Sequence, residues 1–383
     1  VSTAPAQPEL DLGAPASLQL VRVAVPLLRP HVWAGGSTAV RDVVLVCWTR
    51  PDGVVGWGEC PTLEGYVTGG TGPAWHALVG LAPSLLRGAV LPGPAGTWTG
   101  TRADQVEDVP VAALGALADA ALDAALRSEG RSMVEFFGGD GSPLARTAVV
   151  GDPRAGAAGR VAAAVAAEDA GAAVVKLKVD GATPPDVVAS VVDAVGSVAV
   201  DANGTLGQPL AEAYDGLGLV YVEQPFDPST GWEELADWQL GALTPVALDE
   251  PLASLADVDA ALAARSADVL SVKPARLGGL WAAAEAVRRC AQADTECFVG
   301  GMVELGVHRA GAAAVASAAA ALAVALPTDL GPSANYVAVD VCGPVVCDAD
   351  GLLVVPEGPG TGVQVDLSAV ERFTTDSWSS SGG

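Results

Sequence analysis

A chain of 383 residues, half of them hydrophobic, is long enough to bury one large core and a smaller companion. Its 45 acidic residues against 20 basic ones give a formal net charge of −25, and a surface of that sign repels phosphate backbones and anionic membranes, so neither nucleic acid nor membrane is expected as a partner. Three histidines and six cysteines without a C-x-x-C pair leave no His-rich zinc site, little support for a Ser-His-Asp triad and no disulfide framework. The thiols read as reduced, mostly buried groups of a cytoplasmic protein.

The opening segment VSTAPAQPELDLGAP has neither a basic n-region nor an apolar h-region, so no signal peptide is expected. Apolar and β-branched runs from Leu18 to Val25 and from Asp42 to Trp48 predict an antiparallel hairpin, and Pro51-Asp52-Gly53 turns the chain after it. GWGEC follows, then a Gly/Thr-rich loop from Gly65 to Trp75 that is expected to be a mobile lid. Ala-rich sequence from Val111 to Arg127 predicts a helix. After Gly138-Gly139, short β-branched runs alternate with Ala-rich stretches. Strands are predicted at Arg146–Val150, Ala173–Val179, Val198–Asp201, Leu219–Glu223, Pro245–Asp249, Val269–Lys273, Glu296–Gly300 and Ala321–Leu326.

This alternation points to an α/β fold with a parallel sheet, and the count and length fit closure into a TIM-like (β/α) barrel. An open doubly wound sheet is the competitor, but no G-x-G-x-x-G turn follows the first strand, so nothing supports dinucleotide binding. The apolar run from Ala310 to Leu326 is short for a membrane span and carries Ser317, and reads as a buried helix. Three regions are expected: an α+β capping domain with its lid over 1–138, the catalytic barrel over 139–338, and a segment over 339–383 that returns to the cap. That last region holds short strand-like pieces, a turn at Glu357–Gly362 and the tail TTDSWSSSGG, expected to be disordered.

Charged residues close successive predicted strands: Lys176 and Lys178, then Asp201 with Asn203, Glu223, Asp249 with Glu250, and Lys273. The steps from Lys178 through Asp201, Glu223 and Asp249 to Lys273 are 23, 22, 26 and 24 residues, each about one βα unit. In a barrel these positions share the rim at the strand C-termini, the face that holds active sites. A lone K-x-K is usually solvated surface, and a lone acid at a strand end is often a helix N-cap; five such residues in phase with the repeat are the informative feature. Asp201, Glu223 and Asp249 would converge, and three such carboxylates repel one another unless a cation lies between them. Hard oxygen donors select Mg²⁺, with Mn²⁺ as the alternative. Lys178 and Lys273 would flank a carboxylate substrate from opposite sides. Lys176, on the same side as Lys178, is expected to be the neighbouring cation that lowers the pKa of Lys178 and makes it a base. The chemistry this set suits is removal of a proton alpha to a carboxylate, with the divalent ion stabilising the developing charge.

The segments VVKLKV, VDAN, VEQPF, LDEP, SVKPARLGG and FVGGMVELGVHRA resemble the enolase superfamily, in its muconate-lactonizing-enzyme subgroup. The resemblance covers nearly the whole chain and implies a modified (β/α)7β barrel under an α+β cap built from both ends of the sequence. GGMVELGVHRAG is similar to the signature of o-succinylbenzoate synthases and N-succinylamino acid racemases, and LPTDLGPSANYVAVDV to their strand-eight region. The D-x-D type motif of dipeptide epimerases is represented only by Asp329.

The implied reaction is dehydration of 2-succinyl-6-hydroxy-2,4-cyclohexadiene-1-carboxylate to o-succinylbenzoate, a step of menaquinone biosynthesis. In it Lys178 would take the alpha proton and Lys273 would steady the anion by charge. In a racemase the two lysines would exchange protons on opposite faces. A cycloisomerase, a dipeptide epimerase and a non-catalytic barrel are the further alternatives. Asn203, Glu250, Gly301, Met302, Glu304 and Asp329 are the candidate supporting or substrate-facing residues. Departures from the family pattern at Pro251, Ala275, Leu305 and His308 bear on substrate choice. A homo-oligomer is expected by fold analogy alone.

Overall fold

Strand β1 (Ser17–Trp33) pairs antiparallel with β2 (Gly36–Thr49), in a register that sets Leu18 opposite Trp48. This is the hairpin read from the sequence, extended at both ends. Gly53, with φ +85, turns the chain into β3 (Val55–Cys60), which pairs with β2. The structure is a computed structural model, and it describes residues 10, 12–33, 36–64, 69–88, 109–151 and 155–381. Alternate residues of β2 face opposite ways. Val44, Val46 and Trp48 pack under α1 (Thr71–Leu86) and α2 (Val111–Glu129), whereas Val43 and Leu45 join the core shared with the barrel. Helix α2 lies directly on β3: a Cβ on Gly56 would sit 2.2 Å from the Ala124 nitrogen, and one on Gly58 would sit 2.0 Å from the Ala116 oxygen. Glycine in the strand and alanine in the helix are what let the two backbones approach.

After α3 (Met133–Phe137), seven strands form one parallel sheet: β4 (Thr147–Val150), β5 (Val174–Lys178), β6 (Val198–Asp201), β7 (Val222–Glu223), β8 (Val246–Leu248), β9 (Val269–Val272) and β10 (Glu296–Val299), each beside its sequence neighbour. Helices α4 (Ala157–Asp169), α5 (Pro185–Val192), α6 (Gln208–Tyr214), α7 (Trp232–Gly241) and α8 (Leu255–Ala264) connect successive strands. The short α9 (Pro274–Leu277) and α10 (Leu280–Ala293) lie between β9 and β10, and α11 (Gly306–Ala321) follows β10.

The predicted eighth strand, Ala321–Leu326, needs correction. Helix α11 runs through Ala321, because alanine favours helix over strand. The chain then crosses the gap as two single bridges, Cys297 with Ala325 and Arg146 with Thr328. Leu326 N–H donates to the Cys297 carbonyl at 2.9 Å, and Thr147 N–H to the Thr328 carbonyl at 2.8 Å. The segment therefore joins β10 to β4 and closes the ring with very few residues. Helix α11 is buried through Ala319, and no described helix is long and apolar enough to cross a membrane.

Two further readings change. Of the expected lid, residues 65–68 lie outside the described ones, and Thr71 onward is helix α1 rather than loop. The tail is ordered as far as it is described. After α12 (Leu367–Phe373), β11 (Thr374–Ser381) pairs antiparallel with β1, Ser17 opposite Ser381. An open sheet edge accepts even a Ser-rich partner through main-chain hydrogen bonds, and Trp378 packs against the α1–α2 core. All six cysteines are free thiols, five of them buried.

Candidate active site

The parallel register lines up the strand-end residues: Lys178 of β5 lies opposite Asp201 of β6, and Asp201 opposite Glu223 of β7. Asp249 directly follows β8, and Lys273 directly follows β9. The side chains meet as three cation–carboxylate pairs. Lys178 Nζ is 2.5 Å from Asp201 Oδ2 and donates to Asn203 Oδ1 at 2.8 Å. Lys176 Nζ donates to Glu223 Oε2 at 2.6 Å and also contacts Asp329. Lys273 Nζ donates to Asp249 Oδ2 at 2.6 Å, while Arg276 holds the other oxygen of Asp249 at 2.9 Å. Asn203, held at φ +43, passes the chain of contacts on to Glu250 at 2.8 Å.

Exposure separates the lysines. The Lys176 side chain is 2% exposed and lies over the Phe298 ring, which stacks on Tyr221. Lys273 is 11% exposed and Lys178 35% exposed, so these two reach the open side. Lys176 is a buried brace between Glu223 and Asp329.

Burial, together with the charges of Asp201 and Asp249, pushes the Glu223 carboxyl up to about 8. Burial acts the same way on Asp249, but Arg276 and Lys273 more than offset it and hold that carboxyl well below the usual range. The expectation that Lys176 depresses Lys178 is corrected. Burial and Lys176 do push Lys178 down, yet Asp201 outweighs them, and its pKa is raised. A carboxylate in direct contact favours the ammonium more than a second, already paired ammonium disfavours it.

As the side chains lie, no three described carboxylate, imidazole or thiol groups are close enough to grip a metal ion, because each carboxylate is drawn onto a cation. The donor chemistry still fits a hard divalent ion. Three carboxylates face one another, all nearly buried, and Glu223 Oε1 is buried without any hydrogen-bond partner. Such an orphaned oxygen in a cluster of acids suits Mg²⁺ held by a few carboxylates, with waters and substrate oxygens completing its octahedron.

Lys176, Lys178, Lys273, Asp201, Asn203, Glu223, Asp249, Glu250 and Asp329 are thus brought together. Gly301 and Glu304 are not part of that cluster. Glu304 Oε2 accepts the Met302 N–H at 2.5 Å, and a Cβ on Gly301 would lie 2.8 Å from Glu304 Oε1, so this pair braces its own loop. Met302 packs with Leu63 and Ala275 in a small apolar cluster that bridges the cap and the barrel. The sequence reading gave no role to Arg276 or to Gln224, whose side chain accepts the Asp249 N–H at 3.1 Å. Their only signal was adjacency to Lys273 and Glu223. A cavity of about 980 Å³ between β2 and the start of α1, bordered by Arg41, Thr62 and Leu63, is lined by none of the lysines or carboxylates of the site.

Known proteins resemble this chain in sequence and fold. Residues 160–369 match the family model described as Enolase C-terminal domain-like. An N-succinylamino acid racemase from Amycolatopsis sp. is 31% identical over 94% of this chain and 97% of its own length. An o-succinylbenzoate synthase from Geobacillus kaustophilus is 29% identical over 91% of this chain and 92% of its own. Among solved structures, a probable mandelate racemase from Alicyclobacillus acidocaldarius superposes with a TM-score of 0.83 at 30% identity, covering 95% of this chain and 98% of that one. The family match over more than half the chain, together with nearly full-length similarity, settles membership: the chain belongs to the enolase superfamily, in the muconate-lactonizing-enzyme subgroup.

Proposed function

We propose that the chain is a Mg²⁺-dependent o-succinylbenzoate synthase, dehydrating 2-succinyl-6-hydroxy-2,4-cyclohexadiene-1-carboxylate in the menaquinone route of the cytoplasm. The observation that carries the reading is the pair of partly open lysines, Lys178 and Lys273, each seated on one of the converging strand-end carboxylates. Mg²⁺ held by Asp201, Glu223 and Asp249 would supply positive charge beside the substrate carboxylate. With Asp201 taken up as a ligand it would no longer hold the Lys178 ammonium, and burial and Lys176 would then favour the neutral amine that takes the proton alpha to that carboxylate. Lys273 stays an ammonium and offsets the negative charge on the ring. Lys178 then returns its proton to the departing hydroxyl, which leaves as water as the new double bond forms. Asn203 fixes the base and its carboxylate partner Asp201 in place, and Lys176 holds Glu223.

A second reading, N-succinylamino acid racemase, is supported by the placement of the two lysines four strands apart, at the ends of β5 and β9, and by the Amycolatopsis relative of that name. There Lys178 and Lys273 would each remove or deliver the alpha proton on its own face. The test is turnover of the cyclohexadiene precursor with Mg²⁺, followed by ultraviolet absorbance as the ring aromatises, with a chelator control. In parallel, deuterium incorporation at the alpha carbon of N-succinylated amino acids is followed. Chelator-sensitive aromatisation supports the synthase, exchange without aromatisation supports the racemase, and neither one sinks both.

A further inference from the structure

Glu59 stands on β3 opposite Leu45, on the face of the antiparallel sheet that meets the barrel, and is 1% exposed. Its Oε1 accepts the Leu305 N–H at 2.7 Å and its Oε2 accepts the His308 N–H at 3.0 Å. These amides open α11, which has no side-chain cap at its own N-cap residue. A carboxylate there satisfies orphan N–H groups and complements the helix dipole. Here it is supplied from the other sheet. Arg41, buried beside Glu59 and Glu304, supplies the compensating charge.

The segment leading into α11 is the wall of the second lysine. Gly300 lies against Lys273 so closely that a Cβ there would be 3.1 Å from Cε and 3.2 Å from Cγ. Val303 is held at φ +57, a region that a β-branched residue occupies only when its surroundings force it. One end of the segment is fixed by the Gly300 N–H on the Val272 carbonyl at 2.9 Å. The other end is fixed by Glu59. Inside it, Glu304 accepts the Met302 N–H, and Arg309 Nη2 donates to the Glu304 carbonyl at 2.7 Å.

We propose that Glu59 is a positioning residue: by holding the amides of Leu305 and His308 it keeps the strained Gly300–Glu304 segment pressed on Lys273, so docking of the antiparallel sheet sets the place of that lysine. The inference rests on Lys273 exchanging the alpha proton on one face of the substrate, as in the racemase reading of the proposed function. Glu59→Gln keeps the shape but turns an NH₂ group toward one of the two amides.

Two readouts test it. Amide hydrogen exchange at Leu305, His308 and Met302 should speed up in the variant by about tenfold or more, since these hydrogen bonds then open locally. Alpha-deuterium exchange, measured separately on the two enantiomers of an N-succinylated amino acid, should fall by roughly tenfold for the enantiomer whose proton faces Lys273 and stay within about twofold for the one that faces Lys178. An equal fall for both enantiomers in the folded variant, or unchanged amide exchange, overturns the inference. If the parent protein exchanges neither enantiomer, the racemase reading fails, and the amide exchange alone then decides the role of Glu59. Should Glu59→Gln not fold, Glu59→Asp, one methylene shorter and able to reach only one amide, replaces it in both measurements.

Discussion

Adding one methyl group at Gly300 tests how finely Lys273 must be placed. The new Cβ of Gly300→Ala would meet Lys273 Cε at 3.1 Å, Cγ at 3.2 Å and Ser271 Oγ at 3.4 Å. Carbon atoms pack comfortably at about 3.5–4.0 Å, so the lysine stem must move by roughly half an ångström. Ser271 is fully buried and cannot yield, so the stem swings away from β10 and carries Nζ off Asp249, which it now meets at 2.6 Å. A misplacement of about 1 Å at a reacting group costs on the order of 100-fold, so about half of that shift should cost about tenfold in kcat, or about 1.4 kcal/mol of barrier. The overpacking cost to folding should stay near the lower end of about 1–3 kcal/mol, because the obstructing atoms belong to a flexible side chain. Steady-state kinetics on the cyclohexadiene precursor, with Mg²⁺ affinity and thermal midpoint measured alongside, reads both effects. A kcat within twofold of the parent would show that the position of Lys273 does not limit the reaction, and a lost fold with no kinetic defect in the surviving protein would make Gly300 a folding glycine.

Other perturbations separate the remaining groups. Lys178→Ala should cut turnover by about 10³-fold or more while the circular dichroism spectrum and melting midpoint hold, and retained activity would remove Lys178 as the base. Asp249→Asn should weaken Mg²⁺ binding in calorimetric titration and also lower stability, since Arg276 and Lys273 lose their shared carboxylate; unchanged metal affinity would mean Asp249 is no ligand. Asp119 tests linkage. Burial raises its carboxyl from 3.8 to about 8, so between those values the folded protein keeps a proton that the unfolded chain has released, and stability falls as pH rises through that window. Asn at this position can still accept the Leu280 N–H at 2.9 Å but does not titrate. In urea titrations the advantage of Asp119→Asn over the parent should therefore grow from about pH 5 to about pH 8, by up to about 1.4 kcal/mol per pH unit; a constant difference would refute the burial argument.

The barrel and its rim were legible because a βα repeat spaces equivalent positions evenly, and that spacing survives in Lys178, Asp201, Glu223, Asp249 and Lys273 without knowledge of any contact. What escaped depended on partners far away in sequence. GWGEC does not read as a strand by propensity. It is one because α2 needs Gly56 and Gly58 to come close. The tail is polar and Ser-rich, and its order comes from the open edge of β1, not from its own residues. The eighth strand was placed too early, since the alanine run served the helix before the chain turned to close the ring. The electrostatics of Lys178 were misjudged for a related reason: the sequence puts Lys176 two residues away, but only the register of β5 and β6 puts Asp201 against its ammonium. Arg276, Gln224 and Glu59 act through backbone amides or buried carboxylates that no spacing rule marks.

Ser17 opposite Ser381 also fixes an order of events during synthesis. The ribosome releases β1 and β2 well before β11, so one edge of β1 stays unpaired until β11 emerges, long after the parallel sheet can begin to form. For that interval a nascent chain displays an open strand edge, the feature most prone to pairing with a neighbour. Ribosome stalling or a premature stop before β11 would therefore leave a closed barrel carrying an adhesive antiparallel sheet, and yield in cells should depend on residues that never approach the lysines.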